Sequence, residues 1–451
     1  YMSAEISDPF NPNKPIQAYK SVNVALSQLR DGKPDWLLFK RGDKFELQET
    51  MKLNSGKSDK AHLVLSSYGD SEKRPLIDSK NNSGITLIKG RSYITVKGLE
   101  FYASSFDPKS SNFIGWGNSK NSEAGFASIS TENVSGFFLE DNIFNFYRSN
   151  IVFSGSGNHR NIVVRRNLVM NAYSENSHAQ GIYIGISDYV LMEENTFDHN
   201  GWYQQRPSNI KLNTRNYGYA TFYNHNIYIS NSSNLVIREN LSSRSSSIGM
   251  KFTSNPNKET KVNTVNSSNI LLQNNLIVEG EVGFSIGGNT NFNNGYRWDN
   301  ILVTNNVLTN IGRTKPTNRN LAFNIEASDW DTGAICSNTI VDGNDKELSN
   351  TYGILTNGYT GEISVINNKI VNFGLESEQY ASTDNVFSKN NKYTPILKNV
   401  NFLDNYVHNK GYSTYSSFIL DEIKKIKDSS STFYDISEPL SYIHSRAHVI
   451  K

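Results

Sequence analysis

The sequence predicts an all-β chain wound as a right-handed parallel β-helix, a solenoid of stacked coils with small capping segments at both ends. Two residue columns and their spacing predict it. A short β-like run ending in Asn and followed by apolar residues recurs as GFFLEDNIF, NIVVRRNLV, YVLMEENTF, NLVIRENLS, NILLQNNLI, NILVTNNVL, GAICSNTIV and EISVINNKI. Aligned, these runs put Asn142, Asn167, Asn195, Asn240, Asn275, Asn306, Asn338 and Asn368 in one column. A second column comes from GIYI (181–184), NIYI (226–229), GMKF (249–252), GFSI (283–286), AFNI (322–325) and GILT (353–356). It aligns Ile182, Ile227, Met250, Phe284, Phe323 and Ile354, and two positions later Ile184, Ile229, Phe252, Ile286 and Ile325. The intervening residues are polar or small, the period-2 pattern of a strand with one buried face. Successive ladder Asn residues stand 25 to 45 positions apart. A coil of about 20–25 residues with variable insertions accounts for that drift better than a hairpin meander does.

Each element follows from this frame. Residues 1–60 hold an N-terminal cap and a first coil: SVNVALSQLR (21–30) covers the end and DWLLFKRGDKFEL (35–47) starts the winding. Residues 61–400 form the β-helix, with ITVKGLEF (94–101) and VFSKNNKY (386–393) as coils beyond the two ends of the column. One coil reads as the GIYI-type strand, a turn, the strand ending in Asn, and a short third strand. The ladder Asn is expected to bond the coils above and below it and to tolerate left-handed backbone at the turn. Residues 401–451 form a C-terminal cap, where SSFILDEIKKIK (416–427) puts Ile419, Ile423 and Ile426 on one face of a short helix. Both ends are assigned to capping because open terminal coils expose unpaired strand edges.

Composition excludes several classes. Lys+Arg at 45 against Asp+Glu at 43 gives a net charge of +2 without a basic tract, which speaks against nucleic acid as a partner. No stretch approaches the ~18 apolar residues of a membrane span, and the N-terminal residues show no secretory signal pattern. The single cysteine, Cys336, lies in the apolar run AICSNTI and reads as a buried structural thiol. His178 and His199 have no companions at metal-ligand spacing, so neither a metal nor a cofactor is expected.

Function then rests on the outward surface. Between the buried positions of the GIYI column, Tyr183, Tyr228, Lys251, Ser285 and Asn324 point out in successive coils. Tyrosine faces stack on sugar rings, while amides and charges bond hydroxyls and carboxylates. Long excursions flank this face: SENSHAQ (174–180), the insertion 201–223, SNPNKETKVNT (254–264), GGNTNFNNGYRW (287–298) and EASDWDTG (326–333). Four positions past each ladder Asn lies a further column: Asn171, His199, Arg244, Glu279, Asn310 and Asp342. Coils stack about 5 Å apart, so its imidazole, guanidinium and carboxylate are expected near His225 and Lys251, within reach of one sugar ring.

The ladder-Asn coils, DHNGW (198–202) and NHNIYISNSSNLVIRENLSSRSSSIGMKF (224–252) resemble the pectate-lyase-type β-helix superfamily. Within it they are most similar to the tailspike depolymerases of bacteriophages that infect Acinetobacter. The resemblance covers roughly residues 35–400 in architecture and 180–252 in motif. It implies a homotrimer in the virion tail, acting extracellularly on bacterial capsular polysaccharide. Two chemistries follow. Hydrolysis needs two carboxyl groups, with Glu279 as acid and Glu326, Asp329 or Asp331 as partner. A lyase or epimerase needs a base and a cation for the enolate-like charge, with His225 or His199 and Arg244 or Lys251 in those roles. Hydrolysis is favoured. The remaining substrate contacts are assigned to His199, Tyr183, Tyr228, Lys251, Asn324 and Asp329. A non-catalytic carbohydrate-binding adhesin is the alternative without turnover.

Overall fold

A half-buried strand needs partners on both edges, and a stack of coils supplies them from the next turn of the same chain. The computed structural model describes residues 18–116, 124–175, 177–203, 219–254, 267–287, 297–314, 316–317, 319–325, 329–343, 350–356, 362–373, 380–381, 386–394 and 401–450. Their strands form three long sheets of 13, 12 and 11 strands, called A, B and C here, and one two-stranded pair. Each coil visits A, B and C in turn. Ser187–Glu193 lies in A, Thr196–Asp198 in B and Ile227–Ser230 in C, each pairing in parallel with its counterpart one coil on. The architecture is a right-handed parallel β-helix, as the two columns predict.

Both columns are in register. Ile182, Ile227, Met250, Phe284, Phe323 and Ile354 pair coil to coil, and none is more than 1% exposed. The ladder Asn residues line the A-to-B corner, fully or almost fully buried. Each donates its Nδ2 to the next one's Oδ1 at 2.9–3.1 Å. Each also donates its backbone N–H to that same oxygen, and a second Nδ2 bond reaches a carbonyl of the coil behind, such as Leu139 O from Asn167. Asn391 extends the ladder at the far end.

The left-handed backbone falls one residue earlier than expected. The residues before the ladder Asn carry it, including Asp141, Arg166, Glu194, Glu239 and Asn274 at φ 50–58°. A second, shorter ladder runs inside the B-to-C corner. Asn150 donates to Asn200, and Asn200 to Asn226, both at 3.0 Å. Gly181 fits against it because a Cβ there would fall 2.4 Å from Asn226 O.

At the N-terminal end, helix α1 (Val22–Leu26) and Leu29 pack against the core, as a cap should. The C-terminal segment differs from the expected end cap. It forms α2 (Phe402–Asn409), α3 (Tyr415–Lys427) and α4 (Ser437–Val449), laid along the outer face of sheet B. Ile419, Ile423 and Ile426 are buried as predicted, but against Leu168, Leu241, Leu276, Val307 and Val341 of the flank. Lys427 reaches Glu100 at 2.7 Å, and Arg74 donates to Ser429 O at 2.8 Å, so the segment runs back over many coils. Burial of that apolar strip, at about 25 cal/mol per Å², holds the layer in place. No helix among the described residues is long and apolar enough to cross a membrane.

Sheet A turns a different face outward. Phe138, Val163, Leu191, Val236, Leu271 and Leu302 form one register row, all partly or well exposed. Beside it runs a row of alternating charge in which Lys97 and Arg165 bond Glu140, and Arg238 bonds Glu193. Cys336 lies on this outward side, half-buried rather than in the core, and its Sγ contacts Thr304 Oγ1 at 3.5 Å.

Candidate functional site

The outward row of sheet C is as the sequence reads. Tyr183, Tyr228, Lys251, Ser285 and Asn324 are cross-strand partners in successive coils. The two tyrosine rings meet edge to face at 5.3 Å, and Lys251 Nζ lies 5.9 Å over the Tyr228 ring. Thr253 Oγ1 donates to Tyr228 Oη at 3.3 Å. Burial, with Tyr228 beside it, pushes the Tyr183 phenol up to about 12. Tyr183, Tyr228 and Lys251 are half-buried, whereas Ser285 and Asn324 are buried. The reachable part of the row is therefore its tyrosine–lysine half.

His225 stands at the start of this face, its ring edge-on to Tyr228 at 5.6 Å. It is 2% exposed, and its Nδ1 accepts the Ile248 amide at 3.3 Å. Burial, then the charges of Lys251, Arg319 and His178, holds the imidazole well below its ordinary range, so it is neutral near pH 7. A neutral ring whose Nδ1 accepts a hydrogen bond carries its proton on Nε2. This arrangement does not suit the general-base role assigned to His225 from sequence. Beside it sits a pair the sequence reading missed. Glu281 is fully buried, bonded to Arg319 at 2.8 Å, to Thr317 through N–H at 2.9 Å and through its hydroxyl, and to Ser247 Oγ at 3.3 Å. Arg319 in turn stacks on Phe222 at 4.6 Å. The only signal was EGEVGF itself, where Glu281 follows Glu279 by two positions.

The column four past the ladder lies at the B-to-C corner. Asn171, His199, Arg244, Glu279, Asn310 and Asp342 all adopt left-handed φ of 47–64°, so the turn sets their spacing. From Arg244 to Asp342 this corner faces the C-terminal helical segment. Arg244 is not an available cation on the sheet C face: it forms a buried, two-pronged pair with Asp198, Nε to Oδ1 at 2.8 Å and Nη2 to Oδ2. Burial pushes Asp198 up and Arg244 more than offsets it, leaving the carboxyl below its ordinary range. Burial lowers Arg244, while Asp198 and then Glu279 lift it above. Tyr415 of α3 donates to Ser243 Oγ beside the pair at 2.9 Å. His199 is stacked on Trp202 at 4.6 Å, with Nδ1 facing Tyr173 Oη and Asn171 Oδ1.

The predicted residues thus divide. Tyr183, Tyr228, Lys251, His225 and Asn324 belong to the sheet C side, while His199, Arg244 and Glu279 belong to the corner, the last two beneath the helical layer. Glu326 lies outside the described residues. Asp329 pairs through its backbone with Arg297 at the edge of sheet A. Between corner and helices is a cavity of about 580 Å³, lined by Arg244, Glu279, Asn310 and Arg313 from the solenoid. Asp404 of α2 and Thr414, Tyr415, Ser416, Ser417 and Leu420 around the start of α3 complete it. The second carboxyl in the Glu279 cavity is therefore Asp404, which no local pattern announces. No group of three or more potential metal ligands occurs among the described residues.

Comparison with known proteins adds two alignments. A surface adhesin of Streptococcus pneumoniae aligns with 84% of this chain and 91% of its own at 12% identity and a TM-score of 0.44. The A-module of a mannuronan C-5 epimerase from Azotobacter vinelandii aligns with 83% of this chain and 94% of its own at 12% identity and a TM-score of 0.32. The fold assignment stands on the chain's own strand registers. No protein-family model matches the chain, and no curated protein matches its sequence.

Proposed function

We propose that the chain binds an extended bacterial surface polysaccharide along sheet C and depolymerises it by hydrolysis. The observation that carries this reading is the in-register row Tyr183–Tyr228–Lys251, which offers aromatic faces and a cation at the coil spacing of about 5 Å. Hydrolysis is favoured over proton abstraction for two reasons. His225 is buried and its accepting nitrogen is engaged, and Glu279 and Asp404 line one cavity at the adjoining corner. A carboxyl pair is what glycoside hydrolysis requires. Binding without turnover is the second reading, favoured by the position of both carboxyls off the tyrosine face.

The tailspike identity, the homotrimer and the virion location are proposals that rest on the sequence resemblance. The exposed apolar row of sheet A supports a protein–protein contact on that face. The test is incubation with a panel of purified capsules, reading new reducing ends and the ultraviolet absorbance of an unsaturated uronate product. Reducing ends without that absorbance support hydrolysis, and both together support a lyase. Retention of a capsule without either supports the binder. Tyr228→Ala should weaken retention about tenfold, and unchanged retention would remove the sheet C track.

A further inference from the structure

The cavity between the B-to-C corner and the helical layer says more about the sugar than the tyrosine row does, through its balance of charge. Its wall carries two guanidiniums, Arg244 and Arg313, and two carboxylates, Glu279 and Asp404. Behind the wall Asp198 binds Arg244, adding a third negative group. The start of α3 contributes a partial positive charge of about half a unit, which offsets part of that excess. No net positive field remains to receive a carboxylate or phosphate, so an acidic sugar gains nothing here. A purely apolar ligand is disfavoured too, because the wall also carries carboxylates, guanidiniums, the Asn310 amide and the hydroxyls of Thr414 and Ser416. What matches is a ligand that both donates and accepts hydrogen bonds and has an apolar flank for Leu420, itself 47% exposed at the rim. At about 580 Å³ the space lies within the usual range of small-ligand sites, about 300–1,000 Å³.

We infer that this cavity takes an uncharged sugar unit, a hexose or N-acetylhexosamine, as a branch or chain end of the polymer. The inference rests on the polysaccharide reading and narrows it: the unit held between Glu279 and Asp404 is neutral, whatever acidic sugars the polymer carries elsewhere. Two layers build the site, so it exists only while the α2–α3 segment lies on sheet B.

The experiment titrates the full chain with glucose, galactose, N-acetylglucosamine, N-acetylgalactosamine and glucuronate, observed by saturation-transfer NMR. A neutral member is expected to bind in the range of about 1 mM, and glucuronate at least about tenfold more weakly. Arg313→Ala and Asp404→Asn, both on the accessible side, should each weaken that binding about tenfold. Leu420→Trp, which fills the cavity from an exposed position, should abolish it. Tighter binding of glucuronate, or sugar binding that survives Leu420→Trp, would overturn the inference. Polymer retention by a protein that takes none of the monosaccharides removes the cavity site and leaves the sheet C track standing. Loss of polymer retention in Tyr228→Ala while monosaccharide binding persists supports two separate sugar contacts.

Discussion

The Arg244–Asp198 pair joins two strands one coil apart, with both residues at or below 2% exposure. Removing one partner from a buried pair strands a charge in a medium that solvates it poorly, which typically costs about 3–5 kcal/mol. Arg244→Ala is therefore expected to lower stability by that amount, read as a shift of the urea unfolding midpoint. Adding Asp198→Asn should recover much of the loss. A variant as stable as the parent would restore Arg244 to the list of free catalytic cations. Ladder residues behave similarly without a net charge. In Asn240→Ala, the backbone N–H and Nδ2 of Asn195 lose the oxygen they share, and Met192 O loses its donor. Each buried group left unmet costs about 1–3 kcal/mol, so Asn240→Ala should cost at least about 2 kcal/mol by the same measurement. Its neighbour Glu239 projects to the outer surface, and Glu239→Ala should stay within about 0.5 kcal/mol of the parent.

The helical layer is where the sequence was least legible. Repetition made the solenoid readable: a corner that needs a carboxamide shows it eight times, and an inward strand position shows Ile, Met or Phe each time. Tyr415 and Ser243, by contrast, meet across 172 positions, and nothing local to either foretells the contact. The amphipathic pattern of 416–427 identified a helix but not the surface that receives it, because an apolar stripe fits an end or a flank equally well. Asp404 entered the Glu279 cavity by the same route. The corner column was legible as a column, yet Arg244, Glu279, Asn310 and Asp342 face the helical layer rather than the sheet C row. The docking of α2 offers a pH test. Asp342 accepts the Phe402 amide at 2.6 Å and the Asn372 amide at 2.9 Å, and burial pushes its carboxyl up to about 7. A folded value above the unfolded one makes the group's contribution to stability full below about pH 4. That contribution is lost as pH rises through about 7. Melting temperature should accordingly fall between those limits, and Asp342→Asn, which keeps one acceptor oxygen, should flatten the slope. An unchanged slope would place the titration elsewhere.

At the scale of the whole molecule, the exposed row on sheet A and the covered flank of sheet B give the solenoid unlike sides. The trimer proposed from the resemblance has its natural contact on sheet A. Leu191→Glu with Val236→Glu should shift the sedimentation mass from trimer to monomer at micromolar concentration while the circular dichroism stays that of a β-sheet protein. A parent chain that sediments as a monomer would remove the trimer. The Asn ladder adds a property along the axis rather than around it. Every carboxamide from Asn142 to Asn368 gives one Nδ2 hydrogen to the next Asn Oδ1 on the C-terminal side and the other to a carbonyl of the coil behind, so the Asn-to-Asn chain of bonds has a direction. A partly wound solenoid therefore has one complete end and one hungry end, where the newest Asn holds donors that only the next coil can satisfy. The asymmetry predicts vectorial winding, each coil templating its successor in the order of synthesis. Among the described residues the ladder ends at Asn391, whose Nδ2 donates back to Val365 O at 2.7 Å and to Ser388 Oγ at 2.9 Å.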